Sequence, residues 1–270
     1  MTESPKVSVI LTTRDRPEFL RVALRAYAEQ TYAHRELIVV DDGDNFPVDP
    51  GVVAAVGGRI VRVETGTPIG TKLNHGLQFA TGELCQKMDD DDWYAPIYLQ
   101  TFVQMMLDSW QVACRPTVGF VTPFLFFNVA TWEIRMSADG NVPGATLFFR
   151  HQDWRDSPFR NLPGDEDLWF YQDQLRHGAV PLAIKDPDIF LAVRHRGSRR
   201  NRGHTWVNQW NNISLEDFLL ERPLYKHPEE ILPAWAIDFY RELREEILAS
   251  GAETDAFLES STANTGADEI

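Results

Sequence analysis

Cysteine is nearly absent from this sequence, since only Cys85 and Cys114 occur in 270 residues. They form no CxxC pair, which disfavours both a disulfide scaffold and a zinc knuckle. A chain of this length can bury a core large enough to fold without disulfides or a structural metal. The cysteine content therefore indicates a globular protein in a reduced, cytoplasmic setting.

Long apolar runs are also missing. No stretch approaches the length of about 18 uninterrupted apolar residues that suggests a membrane-spanning helix. The start, MTESPKVSVILTTRDRP, has neither the basic segment nor the small-residue cleavage site of a signal peptide. We expect a soluble protein with no integral membrane segment.

Basic residues are scarce: 26 Lys and Arg stand against 40 Asp and Glu, a formal net charge of −14. This balance disfavours generic binding to phosphate backbones, which needs a positive field. The last 20 residues hold no Lys or Arg, and we predict that residues 251–270 form a disordered acidic tail, with an interaction tail as the alternative. Its acids are Glu253, Asp255, Glu259, Asp268 and Glu269.

Strand-like and helix-like segments alternate in the first half of the chain. Short apolar runs predict strands at residues 7–12, 36–40, 59–64 and 83–88, and apolar residues at helical spacing predict helices at 17–30, 71–80 and 96–110. This alternation is typical of βαβ units with a parallel sheet buried on both sides. The sequence therefore predicts a doubly wound α/β domain.

Closely spaced strand signals follow in the second half, at residues 118–128, 131–137 and 145–151. They predict antiparallel additions to the sheet edge. A helix at 166–177 ends before Gly178, strands follow at 180–185 and 190–194, and an amphipathic helix spans 233–248. Because no repeat or linker interrupts the pattern, we predict one domain over residues 1–250, α/β in class, with a mainly parallel central sheet flanked by helices.

Polar groups follow three of the predicted strands, at residues 12–15, 41–42 and 89–92. The carboxyl ends of parallel strands meet at one edge of a sheet, where ligands bind, so we expect these groups to converge. Neither GxGxxG after the first strand nor GxxxxGK[ST] is present, which argues against a Rossmann dinucleotide site and a P-loop.

Four consecutive aspartates, Asp89 to Asp92, stand at one of these strand ends. They repel one another unless a cation or hydrogen bonds compensate their charge. A divalent hard cation such as Mg²⁺ or Mn²⁺ suits them. The alternative is a solvated acidic loop, which the core-like neighbours Met88, Trp93 and Tyr94 disfavour.

The segments SVILTTRDRPEFL, QTY, ELIVVDDGD and GTKLNHGLQFATGELCQKMDDDDWYAP occur in this order. Together they resemble the nucleotide-sugar-dependent glycosyltransferases of family 2, which have the GT-A fold. The resemblance covers about residues 6–210. It implies a donor-binding half at about 1–115 and an acceptor and catalytic half at about 116–250.

The resemblance also implies roles for the strand-end residues. In the family a DxD motif holds Mn²⁺ or Mg²⁺ against the donor diphosphate, the first strand end binds base and ribose, and the second binds the base. An ordinary strand-to-turn transition is the alternative for Asp41-Asp42-Gly43. The matching metal residues are Asp89 and Asp91, and those facing the nucleoside or sugar are Thr12, Arg14, Asp15, Asp41, Asp42, Asp90 and Asp92.

Gly70-Thr71-Lys72-Leu73-Asn74 resembles the segment that runs under the diphosphate. Many relatives have an arginine directly before the asparagine, where this chain has Leu73. Lys72 could supply the missing charge or be a solvated helix lysine. Asn74 could contact the donor or instead cap the helix or bond locally.

Inverting members of the family use a carboxylate near the acceptor as general base, and Gly164-Asp165-Glu166-Asp167-Leu168-Trp169 fits their pattern. We choose Asp167 as the base and Glu166 as the alternative. Neighbouring carboxylates raise the pKa of such a base usefully. The competing explanation is that acids in a first helical turn favour the helix dipole.

An arginine-rich segment, residues 194–206, stands out in this acidic chain. The resemblance implies that His195 or His204 completes the metal shell or touches the diphosphate. Arginine suits phosphate as a bidentate donor, so the segment could also bind an anionic acceptor or pair with surface acids.

The function that the resemblance implies is metal-dependent, inverting transfer of a sugar from a nucleoside-diphosphate sugar to a hydroxyl. UDP is our expected nucleotide, with GDP and dTDP open. The acceptor is a glycan, a lipid-linked hydroxyl or a small molecule; a nucleic acid acceptor, such as a modified DNA base, is disfavoured by the acidity but stays open. A sugar-phosphate nucleotidyltransferase and a non-catalytic sugar-nucleotide-binding module are the alternatives.

Trp93, Trp169 and Trp206 could stack on sugars or belong to the hydrophobic core.

Overall fold

The computed structural model describes residues 4–112, 116–162, 164–195 and 221–263. The helices are α1 Pro17–Ala28, α2 Pro50–Ala54, α3 Ile69–Gln78, α4 Tyr98–Val112, α5 His151–Asp156, α6 Glu166–Arg176 and α7 Ala234–Ala263. The strands are β1 Val7–Thr13, β2 Arg35–Asp41, β3 Gly58–Arg62, β4 Leu84–Asp89, β5 Trp93–Tyr94, β6 Thr117–Val121, β7 Leu125–Asn128, β8 Glu133–Met136, β9 Phe148–Arg150, β10 Val180–Ile184 and β11 Phe190–Arg194. Short 3-10 helices lie at Gly144–Thr146, Pro187–Ile189 and Pro228–Glu230.

The chain divides into two compact units. The first contains Met1–Leu125 and Met136–Ala192, and the second contains Phe126–Arg135 and Val193–Ile270. This division does not follow the expected boundary near residue 115 between the donor and acceptor halves. Both predicted halves contribute to the first unit.

The main sheet has the strand order β10-β6-β9-β4-β1-β2-β3. Strand β1 pairs in parallel with β2 and β4, β2 with β3, and β6 with β10, whereas β9 is antiparallel to β4 and β6. The predicted α/β class with a mainly parallel sheet is confirmed. The predicted place of the antiparallel addition is wrong, because β9 lies inside the sheet. Its neighbouring residues Phe148 and Phe149 are both buried, as an interior strand requires.

Helices cover both faces of this sheet. On the Phe149 face the core contains Ile10 and Ile38 from the strands, Leu73 from α3 and Phe170 from α6. On the opposite face the ring of Phe102 in α4 stacks on Phe148, with ring centroids 5.0 Å apart. All seven residues of β1 are buried, which accounts for its largely apolar sequence, VSVILTT.

A smaller sheet has the order β5-β11-β7-β8. The predicted strand 118–128 is two strands, β6 and β7, which belong to different sheets. Helix α7 continues to Ala263, beyond the predicted end at residue 248, so residues 251–263 are helical where a disordered tail is expected. Ala, Glu, Leu and Phe in that segment are compatible with a helix. No described helix is long and apolar enough to cross a membrane.

Candidate active site

The polar strand ends converge as expected. The register places Thr12 of β1 opposite Asp89 of β4, and Thr13 opposite Asp41 of β2. All three strands run parallel with β1 in the middle, so their carboxyl ends lie at one edge of the sheet. Thr12 is buried at this edge, and Arg14 directly beyond it is exposed.

The four aspartates after β4 alternate between solvent and the interior. The side chains of Asp89 and Asp91 are 29% and 23% exposed, whereas Asp90 and Asp92 are buried. The solvated-loop alternative is therefore wrong for Asp90 and Asp92. The two acids of the DxD pattern are the members of the run that a ligand can reach.

Arg16 and Thr13 hold the buried part of this run. Arg16 donates to Asp90 at 2.5 Å and to Asp91 at 2.8 Å, and the Thr13 hydroxyl donates to Asp90 at 2.6 Å. Burial raises the pKa of Asp90 to about 6, although the charge of Arg16 opposes the shift. Both oxygens of Asp90 are occupied in this way, so its carboxylate supports the loop.

Arg16 is a site residue that the sequence reasoning missed. It stands at the N-cap of α1, directly before Pro17. A cation at a helix N-terminus is unfavourable for the helix dipole, and that conflict is the signal that could have pointed to a dedicated acidic partner.

The loop after β2 is held by two aspartates. Asp15, which has a positive φ of 54°, accepts from the backbone N–H groups of Asn45 and Phe46 at 2.9 and 2.7 Å. Burial alone would raise the pKa of Asp15, but these hydrogen bonds outweigh it and lower the pKa. Asp41 accepts from Gly43 and Val48, each at 2.8 Å.

Arg62, at the end of β3, also donates to the carboxylate of Asp41. The strand-to-turn role considered for Asp41 is therefore present in the structure. Asp41 itself is fully buried, and its contact with a nucleobase stays a prediction. Arg62, 48% exposed, is a second polar group at this edge that the sequence reasoning missed.

Lys72 and Asp42 form a buried ion pair. The Lys72 ammonium donates to Asp42 at 2.7 Å, and the Gly66 backbone N–H donates to the other Asp42 oxygen at 3.1 Å. Because only 8% of the Lys72 side chain is exposed, the alternative of a solvated helix lysine is wrong. The pair ties α3 to the end of β2.

Asn74 holds a distant segment of chain. Its amide NH₂ donates to the Phe159 carbonyl at 2.8 Å, and its amide oxygen accepts from Trp154 at 2.8 Å and from the Phe159 N–H at 3.1 Å. These bonds span about 80 to 85 residues. The structure thus gives Asn74 neither a helix cap nor a local bond, and its amide is committed to the 154–159 segment.

Lys87 is a buried cation that the sequence reasoning also missed. It lies in β4, with 4% of its side chain exposed, and donates to Asp89 at 2.8 Å. Burial alone would lower the pKa of Lys87, but the charges of Asp89, Glu166 and Asp167 outweigh burial and raise it. Lys87 therefore interacts with both the DxD acid and the acid pair on α6. A lysine in the middle of a predicted buried strand was the available signal.

The predicted acid pair begins helix α6. Glu166 is buried, and its burial raises the pKa of the carboxyl group to about 7. The charge of Lys87 opposes this increase, and the charge of Asp167 adds to it. Asp167 is partly exposed and accepts from the Leu168 N–H at 2.6 Å. Both acids lie in the first helical turn, so the dipole explanation also applies to them. Asp167 is the member of the pair that an acceptor can reach.

The Arg194 segment lies only partly within the described residues. His195 follows β11 and is buried in the second unit. His204 and Trp206 lie outside the described part of the chain. The roles expected for His195 and His204 stay predictions.

Trp93 and Trp169, two candidates for sugar stacking, are in contact with other groups of the protein. Trp93 is buried in β5. The guanidinium groups of Arg160 and Arg176 lie 4.1 and 5.5 Å from the centre of the Trp169 ring, and Asp173 holds both arginines. Stacking of a sugar on Trp169 would require moving these arginines.

Asp89 and Asp91 could hold a divalent metal. They supply hard oxygen atoms, and one or two carboxylates with substrate phosphates are a usual Mg²⁺ set. Within the described residues no group of three or more His, Cys, Asp or Glu side chains is arranged to bind a metal alone. The donor set therefore fits an ion whose remaining ligands come from a bound diphosphate.

Solved structures of GT-A transferases share this fold. Staphylococcus aureus TarS 1-349 in complex with UDP-GlcNAc has a TM-score of 0.56 at 17% identity, over 74% of this chain and 62% of TarS. The mannosyltransferase PcManGT from Pyrobaculum calidifontis, in complex with GDP-Man and Mn²⁺, has a TM-score of 0.53 at 17% identity, over 99% of this chain and 82% of that one. The predicted GT-A fold is confirmed.

The chain belongs to glycosyl transferase family 2, whose family model matches residues 8–154. The O-antigen biosynthesis protein RfbC of Myxococcus xanthus is 30% identical over 157 residues, which are 56% of this chain and 12% of RfbC. The putative glycosyltransferase EpsH of Bacillus subtilis strain 168 is 28% identical over 110 residues, 40% of this chain and 32% of EpsH. The chain thus spans a minor part of these relatives, while the resemblance seen in its motifs is confirmed.

Proposed function

We propose that this protein is a metal-dependent, inverting glycosyltransferase that moves a sugar from a nucleoside-diphosphate sugar, a UDP-sugar in our expectation, to an acceptor hydroxyl. The observation that carries the proposal is the pairing of two acid groups through one buried cation. Lys87 binds Asp89 of the solvent-reaching DxD pair and interacts with Glu166 and Asp167 at the start of α6. This pairing supports a leaving-group site and a proton acceptor at the same end of the sheet.

On the donor side, Asp89 and Asp91 bind the metal, and Thr12 and Arg14 face the base and ribose. A bound Mn²⁺ or Mg²⁺ supplies Lewis-acid stabilisation of the departing diphosphate. Arg16 keeps the carboxylates of Asp90 and Asp91 in place by direct hydrogen bonds.

Asp41, Asp42 and Lys72 support the donor site by holding the loop and the helix next to it in place. Asp41 fixes the loop after β2, and the Asp42–Lys72 pair fixes α3 against that strand. We assign Asn74 to support of the 154–159 segment, since its amide is used there. The base contact expected for Asp41 remains part of the proposal.

On the acceptor side, Asp167 accepts the proton of the attacking hydroxyl. The hydroxyl oxygen forms a bond to the anomeric carbon from the face opposite the diphosphate, while the bond from that carbon to the phosphate oxygen breaks. The proton ends on Asp167 and the bonding electrons leave with the nucleoside diphosphate, so no covalent enzyme intermediate is needed. Glu166 lies beside the base and sets its electrostatic surroundings.

The donor class is tested by a thermal-shift screen of UDP, GDP and dTDP with and without Mn²⁺. We expect one nucleotide to raise the melting temperature only when the metal is present. Incubation with UDP-GlcNAc or GDP-mannose then follows, because these donors occur in the complexes of structural neighbours. Release of nucleoside diphosphate supports the proposal, release of pyrophosphate supports nucleotidyl transfer, and binding without turnover of any donor supports a non-catalytic module.

A further inference from the structure

Gly144 lies directly against the proposed base. A Cβ built on Gly144 would be 1.5 Å from Oδ2 of Asp167 and 2.3 Å from its carboxyl carbon. The Asp167 carboxyl group therefore occupies the space where any other residue at position 144 would place its side chain. Contacts of Cβ atoms below 3.0 Å essentially do not occur, and the Cβ of Asp167 would also be only 2.5 Å away, so a side chain at 144 forces residue 167 and its carboxylate away from the turn.

The backbone at Gly144 does not require glycine for its own conformation. Its φ is outside the positive range that marks other glycines of the chain, such as Gly140 and Gly178. The residue begins the short 3-10 helix that includes Thr146. The need for glycine at 144 consequently comes from Asp167 and not from the turn.

The turn that carries Gly144 is tied to the strand that carries the DxD acids. The Asp89 N–H donates to the Tyr94 hydroxyl at 2.9 Å, and this hydroxyl donates to the Ala145 carbonyl at 3.2 Å. The Gln86 amide also donates to Ala145, at 3.1 Å. Tyr94 is 1% exposed, so water does not compete for this bridge.

We propose that Gly144 is a positioning residue, whose bare backbone and Tyr94-anchored turn set the Asp167 carboxylate at a fixed place relative to the Asp89 end of β4. The inference rests on the proposed function, in which Asp167 is the base. A side chain at position 144 would move the Asp167 carboxylate without removing any group that touches substrate. A displacement of about 1 Å in such a group can cost about 100-fold in rate.

The test is Gly144→Ala in two backgrounds, native and Asp167→Ala, with release of nucleoside diphosphate from UDP-GlcNAc or GDP-mannose and Mn²⁺ as the assay. We expect Gly144→Ala to lower kcat about 100-fold with KM for the donor within about 2-fold of native. In the Asp167→Ala background the same substitution should lower kcat no further, because the carboxylate whose place it changes is already gone. The contact that remains, 2.5 Å to the Cβ of residue 167, shifts the backbone but displaces no proton acceptor. Native-like kcat for Gly144→Ala, or an equal further loss in both backgrounds, overturns the inference.

Failure of the proposed function gives a different result. If Asp167→Ala itself keeps native kcat, Asp167 is not the base, and both proposals are overturned together. If Asp167→Ala is inactive while Gly144→Ala is normal, the base stands and only the positioning role is lost.

A crystal structure of Gly144→Ala supplies a readout that needs no turnover. Relief of a 1.5 Å contact to at least 3.0 Å requires the Asp167 carboxylate to move relative to residue 144. An unmoved carboxylate beside a shifted 144–146 turn contradicts the role of Gly144. Tyr94→Phe, which removes the bridge, should lower kcat about 10-fold, and Tyr240→Phe, which removes another buried hydroxyl in the second unit, is the matched control with native kcat.

Discussion

The two acidic groups of the first unit are held in contrasting ways. The acids at the end of β4, Asp89 to Asp92, are held by direct ion pairs, with Arg16 on Asp90 and Asp91 and Lys87 of β4 itself on Asp89. The α6 acids, Glu166 and Asp167, interact with Lys87 through space, and Asp167 is placed by a gap at Gly144. The first group is thus fixed by hydrogen-bonded cations, whereas the second is in contact with a glycine and includes a glutamate whose pKa is raised to about 7.

The largest expected effect comes from removing an acid of the first group. Asp91→Ala should lower metal-dependent donor turnover by about 1,000-fold or more, because the metal would lose one of its two proposed carboxylate ligands. Steady-state release of nucleoside diphosphate at varied Mn²⁺ measures it. Asp108→Ala, an exposed acid on α4, is the control and should keep native turnover. Near-native turnover of Asp91→Ala with metal present would show that the metal assignment is wrong.

The second prediction replaces the proposed base, Asp167, by an amide of the same shape. Asp167→Asn should lower kcat by about 100- to 10,000-fold while binding of UDP or GDP with Mn²⁺ stays within about 2-fold, because only proton transfer is lost. Calorimetry and initial rates measure the two quantities. Asp165→Asn is the matched control: Asp165 precedes the helix with a left-handed φ of 58°, which asparagine tolerates. Equal losses in nucleotide affinity and kcat would place Asp167 on the donor side.

Arg16, which binds Asp90 and Asp91, should contribute to the stability of the folded protein. Arg16→Met leaves Asp90 buried without its ion pair, and we expect the free energy of unfolding at pH 8 to fall by about 3 kcal/mol. The loss should be smaller at pH 5, since Asp90, with a pKa of about 6, can then take up a proton. Urea unfolding at both pH values measures this. Arg25→Met removes an exposed pair with Glu29 and should cost below about 0.5 kcal/mol. A pH-independent cost for Arg16→Met would contradict the pairing.

The smallest effect concerns Glu166. Its pKa is about 7 in the folded protein and about 4.5 when exposed, so the folded state binds more protons between these values and loses stability as pH rises through this window. Glu166→Gln removes that dependence. Relative to the variant, the native protein should lose about 1–3 kcal/mol of unfolding free energy between pH 4 and pH 8. Urea unfolding of both proteins at several pH values measures this difference. If the difference in unfolding free energy between native protein and variant stays constant from pH 4 to pH 8, the raised pKa of Glu166 is disproved.

Much of this arrangement was readable from the sequence because its signals are local. The run of four aspartates and the acids that begin α6 each lie within a few consecutive residues, and every strand or helix signal is a short local pattern. Arg16 and Gly144 escaped because their partners lie elsewhere in the chain, Asp90 for Arg16 being 74 residues away. Lys87 is bonded to nearby Asp89, but its interaction with the acids of α6 depends on the tertiary fold. Which acid of a run reaches solvent also depends on tertiary packing, as the burial of Asp90 beside Asp91 shows.

Insertion of β9 between β4 and β6 constrains the order in which the main sheet can be completed. Strands β1 to β4 pair with one another through connections that lie within the first 90 residues. The strand that joins them to β6 and β10 comes only at Phe148–Arg150. Until that segment leaves the ribosome, β4 pairs with β1 only and is an edge strand of the sheet. Edge strands promote aggregation. Fragments of this protein that stop before Phe148 should therefore aggregate during synthesis, whereas the full sheet protects the acid-bearing strand.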